Sequence, residues 1–290
     1  MENPYIDYAK NFQNLARQGK SLPYGNISSP PKVELKKSAP IAIVISPHPD
    51  DECIMGALPL RLMREVGIRV VVCAITLGSN KKRQKERLNE LKKATEWIGF
   101  ELVEVCENGF ENITPIYRNK DPKNWAKKIT IIKNIFEKWN PSVIFFPNSN
   151  DWNQTHLGVN SLTMDTLSQM DNFFPFLIET EYWGQMPAPN LLVESSADQV
   201  ADLLGALSHH KGELQRNPFH LRMPGWMQDN VRRGAEVVGG QGNAAPDFDF
   251  ATLYSVNRWN GRNLIPAWRG GKILPIGSSS DQIIEPSPIN

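Results

Sequence analysis

Apolar residues in this chain gather into short blocks separated by longer stretches of mixed polarity. Residues 41–45, 70–75 and 143–146 are apolar runs of strand length, 102–106 is a short strand-like run interrupted by Glu104, and the segments between them carry apolar positions at helical spacing. The first helical segment runs to about Val66, a second and highly charged one spans residues 82–98, and a third begins at Asp121-Pro122. There Asp serves as the cap and Pro occupies the first turn, where its fixed φ suits a helix and its missing N–H costs nothing. Strands apolar on both faces and joined by helices predict a buried parallel sheet. Pro59 lies inside the first helical segment, where it would cost roughly 3 kcal/mol in a regular interior, so a kink or break is expected. Two more strand-like runs, 177–183 and 191–193, precede a helix expected over 197–214. Beyond Arg216 periodicity fades into Gly- and Pro-rich sequence, read as an irregular layer ending in a flexible tail near Ser278. Upstream, Tyr5, Tyr8, Phe12 and Leu15 recur at helical spacing. They predict an amphipathic helix that docks on the body or on a second copy in a homo-oligomer, followed by a Pro- and Ser-rich connector to residue 40.

The expected architecture is therefore α/β: a Rossmann-like, doubly wound, mainly parallel sheet with flanking helices and an irregular C-terminal layer. Residues 1–40 form the N-terminal helix and connector, 41–215 the main α/β domain, and 216–290 an extension packed on it. Lys and Arg number 32 against 31 Asp and Glu, a net charge of +1, so no electrostatic grip on nucleic acid or an anionic membrane is expected. Cys53, Cys73 and Cys106 are odd in number and lie in apolar or strand-like runs, which fits a reducing compartment and a cytoplasmic location. No export signal and no membrane span is legible in the chain.

Chemistry concentrates behind two strands. Directly after the first comes Ser46-Pro47-His48-Pro49-Asp50-Asp51-Glu52, an imidazole and three carboxylates at the carboxyl edge of a parallel sheet, where ligands bind in such folds. An acidic helix start would explain a lone Asp-Asp through capping; the full run argues for a site. The fourth strand is followed by residues 147–156, again polar and ending in His156. With the usual winding, the fourth strand returns beside the first and both loops open on one crevice. His48, Asp51 and His156 can then converge on one ion at about 2.0 to 2.2 Å, leaving a coordination position open for water.

His48-Pro49-Asp50-Asp51-Glu52 resembles the motif of the LmbE-like (PIG-L) N-deacetylases. The resemblance continues through residues 71–76, through Arg87, Glu90, Leu91, Ala94 and Gly99, to Thr155-His156, and more weakly to Ala206, Leu207 and His210. It implies a zinc-dependent hydrolase, another divalent metal being the alternative, that removes an N-acetyl group from an N-acetylglucosamine-type sugar or related small amide. By position it implies that His48, Asp51 and His156 bind the metal, that Asp50 is the general base and that Arg87 helps hold the substrate. Many relatives have His-x-Asp-His where this chain reads Asn153-Gln154-Thr155-His156. The His that in relatives stabilises the oxyanion is thus Asn153, which can donate a hydrogen bond without a positive charge. Asp151 and His210 are the candidates to fill the missing roles, with a helix-surface reading of His210 equally open. Trp152, beside the ligand loop, is the tryptophan best placed to stack on a sugar. Cys53 reads as a small buried residue at a helix start. Two other classes remain open: a carbohydrate-binding protein on this fold with catalysis impaired through Asn153 and Thr155, and a non-haem iron oxygenase, since two His and a carboxylate also make a facial triad.

Overall fold

The computed structural model describes residues 3–284. Its centre is a nine-stranded sheet. Strands β1 (Ile41–Ser46), β2 (Arg69–Ala74), β3 (Glu101–Glu104), β4 (Val143–Pro147) and β5 (Phe176–Thr180) are parallel in the order β3-β2-β1-β4-β5. The chain moves outward from β1 to β3 and returns to β4 beside β1, as the block pattern predicts, so the switch point lies between β1 and β4. Successive residues of a strand face opposite sides, and β1 uses both: Ala42 and Val44 enter one core, Ile43 and Ile45 the other. The first core is closed by α4 (Gln84–Ile98) through Leu91, Ala94 and Ile98, and by α8 (Ala197–Leu207) through Leu203, Ala206 and Leu207. The second is closed by α6 (Pro122–Trp139) and α7 (Gln154–Leu167), with the short α5 (Pro115–Lys120) packed against both. Asp121 caps α6, accepting from the Asn124 N–H at 3.1 Å.

Pro59 breaks the first helical segment, as expected. Helix α2 (Asp51–Ile54) ends after one turn, and α3 (Leu58–Arg61) restarts with Pro59 in its first turn, where no backbone donor is needed, before a single π-turn over Leu62–Val66. The helix expected over 197–214 is two helices, α8 and α9 (Lys211–Arg216), because the backbone leaves helical geometry at His210 (φ −80°, ψ 56°).

The segment after Arg216 is not an irregular layer. It holds the fifteen-residue helix α10 (Met223–Val237) and the ten-residue strand β7 (Phe250–Trp259), which inserts antiparallel between β5 and β6 (Leu191–Ser195). Short strands β8 (Leu264–Pro266) and β9 (Lys272–Leu274) add to β7 and β6. The pattern hid both long elements for separate reasons. Thr252, Ser255 and Asn257 interrupt the apolar run of β7, and Thr252 is nevertheless fully buried. In α10, Pro224 sits harmlessly in the first turn, and Gly234 lies where a Cβ would collide with Leu192 on β6. The expected tail is also pinned. Arg61, fully buried, donates to the carbonyls of Leu274, Pro275 and Ser278, and Ser280 and Ile283 are buried; residues 285–290 lie outside the described residues.

The N-terminal helix α1 (Tyr5–Gln18) forms as its spacing predicts, but buries none of its residues: Tyr5, Tyr8 and Leu15 are 74, 71 and 65% exposed. Its stripe therefore finds no full cover on the chain's own body. Among the described residues no helix is long and apolar enough to cross a membrane.

Candidate metal centre

The loop leaving β1 is tied down before it presents a side chain. The Ser46 hydroxyl donates to the His48 carbonyl and the Thr76 hydroxyl to the Pro47 carbonyl, each at 2.7 Å. Arg87, from α4, donates to the Pro49 carbonyl at 2.8 Å. The loop after β4 ends with Asn153 capping α7, and His156 is in the first turn of that helix. The two loops face each other across the switch point.

There His48, Asp51 and His156 bring one ligand atom each together. His48 Nδ1 to Asp51 Oδ2 is 3.2 Å, His48 Nδ1 to His156 Nε2 is 3.3 Å, and His156 Nε2 to Asp51 Oδ2 is 3.4 Å. Donors bound at about 2.0 Å to a tetrahedral ion stand about 3.3 Å apart, so this near-equilateral triangle has the dimensions of one tetrahedral face. The donor set of two imidazoles and a carboxylate suits zinc.

The next ring of contacts orients these atoms. Asp151 Oδ2 lies 3.0 Å from His156 Nδ1, with both side chains fully buried. A carboxylate only accepts, so Nδ1 carries the proton and the Nε2 lone pair is turned to the triad. Asp151 is itself held by the backbone N–H groups of Asn153 (2.9 Å) and Trp183 (3.3 Å). Tyr182 stands edge-on to His156, ring centroids 5.0 Å apart. Without an ion, protons take over the cation's role. Burial opposes charge on His156, but the carboxylates of Asp51 and Asp151 outweigh it and push its pKa up to about 10. Asp51, although burial works against its charge, is held well below the usual carboxylate range by His156 and His48.

Asp50 is 8% exposed. Burial, reinforced by the neighbouring Asp51 charge, raises its pKa well above the ordinary value, with Arg87 and His210 pulling the other way. Its backbone is in the left-handed half of conformational space, φ 111°, ψ −29°, which a residue with a Cβ rarely adopts.

The remaining expected residues divide. Arg87 is beside Asp50 (3.7 Å) and Glu213 (3.8 Å) and is 11% exposed, so it clamps the loop from behind. Asn153 spends its Oδ1 on the Thr155 N–H as the cap of α7, at 2.9 Å. His210 is not on a helix surface: it is fully buried, with Nε2 2.7 Å from Glu52 Oε1. Trp152 is 69% exposed and lines neither cavity beside the triad. One of these, about 350 Å³, reaches His48 and Thr155 and has a mixed wall, with Thr76, Ser79, Gln84 and Asn112 beside Phe110 and Ile113. The other, about 250 Å³, is walled by Tyr182, Trp183, Phe219 and Trp226. The sequence pattern assigns no role to Glu52 or Tyr182. Glu52 stands in plain view inside the motif, and Tyr182 follows the carboxyl end of β5, the strand beside β4. Glu52, Cys53 and His210 also cluster donor atoms, but 2.7 Å between Glu52 and His210 is a hydrogen-bond length and too short for two ligands of one ion.

Residues 43–167 match the family PIG-L, described as GlcNAc-PI de-N-acetylase. No curated protein matches the chain in sequence. Among solved structures, the conserved protein TT1542 from Thermus thermophilus is 17% identical with a TM-score of 0.54, covering 74% of this chain and 93% of its own. The N,N'-diacetylchitobiose deacetylase from Pyrococcus horikoshii is 14% identical (TM-score 0.53; 90% of this chain, 94% of that one). GalB, the 4-carboxy-2-hydroxymuconate hydratase from Pseudomonas putida, is 15% identical (TM-score 0.54; 75% and 95%). Likenesses at this identity speak for the fold, and a hydratase beside a deacetylase shows that the fold alone does not choose the reaction. Residues 43–167, the stretch that carries the motif loop and the triad, thus match the PIG-L (LmbE-like) family.

Proposed function

We propose that this protein is a zinc-dependent N-deacetylase acting on an N-acetylglucosamine-type amino sugar or a closely related small amide. The observation that carries the reading is the triangle of His48, Asp51 and His156, whose 3.2 to 3.4 Å edges fit a tetrahedral ion with a position left over. Zinc held there supplies Lewis-acid chemistry: it acidifies water toward a pKa of about 7 and polarises an amide carbonyl. The chain's residues do the rest. Asp50, buried beside the triad, takes a proton from the attacking water and returns it to the sugar nitrogen as the C–N bond breaks, so that acetate and a free amine leave. A carboxyl whose pKa is raised by burial and by Asp51 is better matched to both transfers at neutral pH than an ordinary one. Asp151 orients His156, and Arg87 holds the loop carrying Asp50. The cavity at His48 and Thr155 offers hydroxyls and amides to the sugar's polar groups and the Phe110 and Ile113 side chains to its apolar face. The deacetylases among the structural neighbours support the same reading. The three free cysteines, Cys53 and Cys73 buried, support a cytoplasmic setting.

The test is acetate release from a panel of N-acetylglucosamine derivatives by protein stripped of metal and then reloaded. Release only after reloading with zinc supports the proposal; none with stoichiometric zinc rejects it for this substrate class. One observation favours a second reading, a sugar-binding protein with impaired catalysis: Asn153, tied down as the cap of α7, brings an amide N–H but no positive charge to a developing oxyanion. Tight sugar binding without acetate release would select that reading.

A further inference from the structure

Asp50 occupies backbone space that is strained for a residue with a Cβ and persists only where the surroundings over-determine it. Here the surroundings hold both ends of one peptide plane. The carbonyl of the Pro49–Asp50 peptide accepts from Arg87 Nη2 at 2.8 Å, and the N–H of the same plane donates to Glu52 Oε2 at 2.9 Å. Fixing that plane fixes φ of Asp50, and with it the direction in which the carboxylate leaves the chain. Glu52 cannot drift, because its other oxygen accepts from His210 Nε2 at 2.7 Å and from the Cys53 thiol at 3.3 Å, with Glu52 and His210 side chains fully buried. His210 in turn sits at the break between α8 and α9. Its N–H donates to the Leu207 carbonyl at 2.9 Å, and its own carbonyl accepts from the Leu214 N–H at 3.1 Å. The strained residue is thus tied, through two side chains, to a helix junction; Glu52 and His210 are 158 positions apart in the chain.

We propose that Glu52 and His210 are positioning residues: a buried brace that holds the Asp50 peptide plane, and so sets where the Asp50 carboxylate stands, without ligating the metal. The proposal rests on the reading of Asp50 as the general base, but the brace itself can be tested without turnover. In the zinc-loaded protein, Glu52→Ala removes the acceptor and lets the plane rotate. The Asp50 amide is expected to lose at least about tenfold of its hydrogen-exchange protection, and kcat to fall about 10- to 100-fold, since misplacing a reacting group by about 1 Å costs as much. KM and zinc stoichiometry stay at wild-type values. Glu52→Gln keeps a carbonyl oxygen for the Asp50 N–H and is expected to recover most of both quantities. His210→Ala, which frees Glu52, behaves like Glu52→Ala; where either alanine variant fails to fold, Glu52→Gln and His210→Gln carry the comparison.

Unchanged exchange at Asp50 in the folded alanine variants overturns the brace. Loss of zinc together with kcat overturns it too, assigning Glu52 to support of Asp51 instead. If the wild-type protein releases no acetate from any substrate, the deacetylase reading fails, while amide exchange still decides whether the brace exists.

Discussion

Asp151→Ala tests the arrangement around His156. The Asp151 carboxylate is 3.0 Å from His156 Nδ1, with no solvent access to either side chain. Removing it leaves a buried imidazole N–H without an acceptor and frees the ring to turn or to change tautomer, so the Nε2 lone pair no longer points at the triangle. Partners of this kind are worth about 10- to 100-fold in metal affinity, which is about 1.4 to 2.7 kcal/mol. The protein should therefore bind zinc that much more weakly by competition with a chromophoric chelator at neutral pH. Asp151 also accepts from the Asn153 and Trp183 N–H groups, so global damage has to be separated from loss of orientation. Asp151→Asn does this: its Oδ1 still accepts from Nδ1, and it should bind zinc more tightly than the alanine variant. A zinc Kd for Asp151→Ala within about twofold of wild type, in a folded protein, would refute the orienting role.

Other outcomes follow from the same geometry. Asp50→Asn should keep full zinc stoichiometry and lose about 10²- to 10⁴-fold in kcat, the usual worth of a general base; a fully active variant removes Asp50 from that role. In metal-free protein, the pKa of His156 is pushed up to about 10, so the folded state holds a proton that the unfolded chain releases near about pH 6.5. The stability this contributes is fully present below that pH and is lost as pH rises through the folded value, so Tm should fall between about pH 7 and 9. Loading with zinc should flatten that slope, because the ion replaces the proton; an equal slope in both forms would contradict it. Arg61→Met should cost about 3 to 5 kcal/mol in urea unfolding, since it strips a partner from Glu65 and from three carbonyls of the closing segment; a loss under about 1 kcal/mol would show that the segment is held by other contacts.

The blocks of apolar residues were enough to order the first four strands: β1, β2 and β4 are buried on both faces and so must be apolar throughout, which is visible without neighbours, while β3, at the sheet edge, showed only through Leu102 and Val103. The crevice followed from winding, and the His48–Glu52 run announced its own chemistry, because no buried strand end tolerates four ionisable groups without use. Hydrophobic pattern failed at β7, where Thr252, Ser255 and Asn257 break the run; Thr252 is buried all the same. It failed again at α10, whose Gly234 reads as a breaker but answers a close approach by Leu192. The site divides in the same way. Residue types and their order pointed to the three residues that the fold brings together as a triangle, since ligand chemistry belongs to the side chain. The work of Glu52, His210 and Arg87 did not show, since it lies in which peptide each one holds, across 158 residues in one case. Distances of 2.7 to 3.4 Å between groups remote in sequence are set by how the helices pack on the sheet, and only tertiary structure decides them.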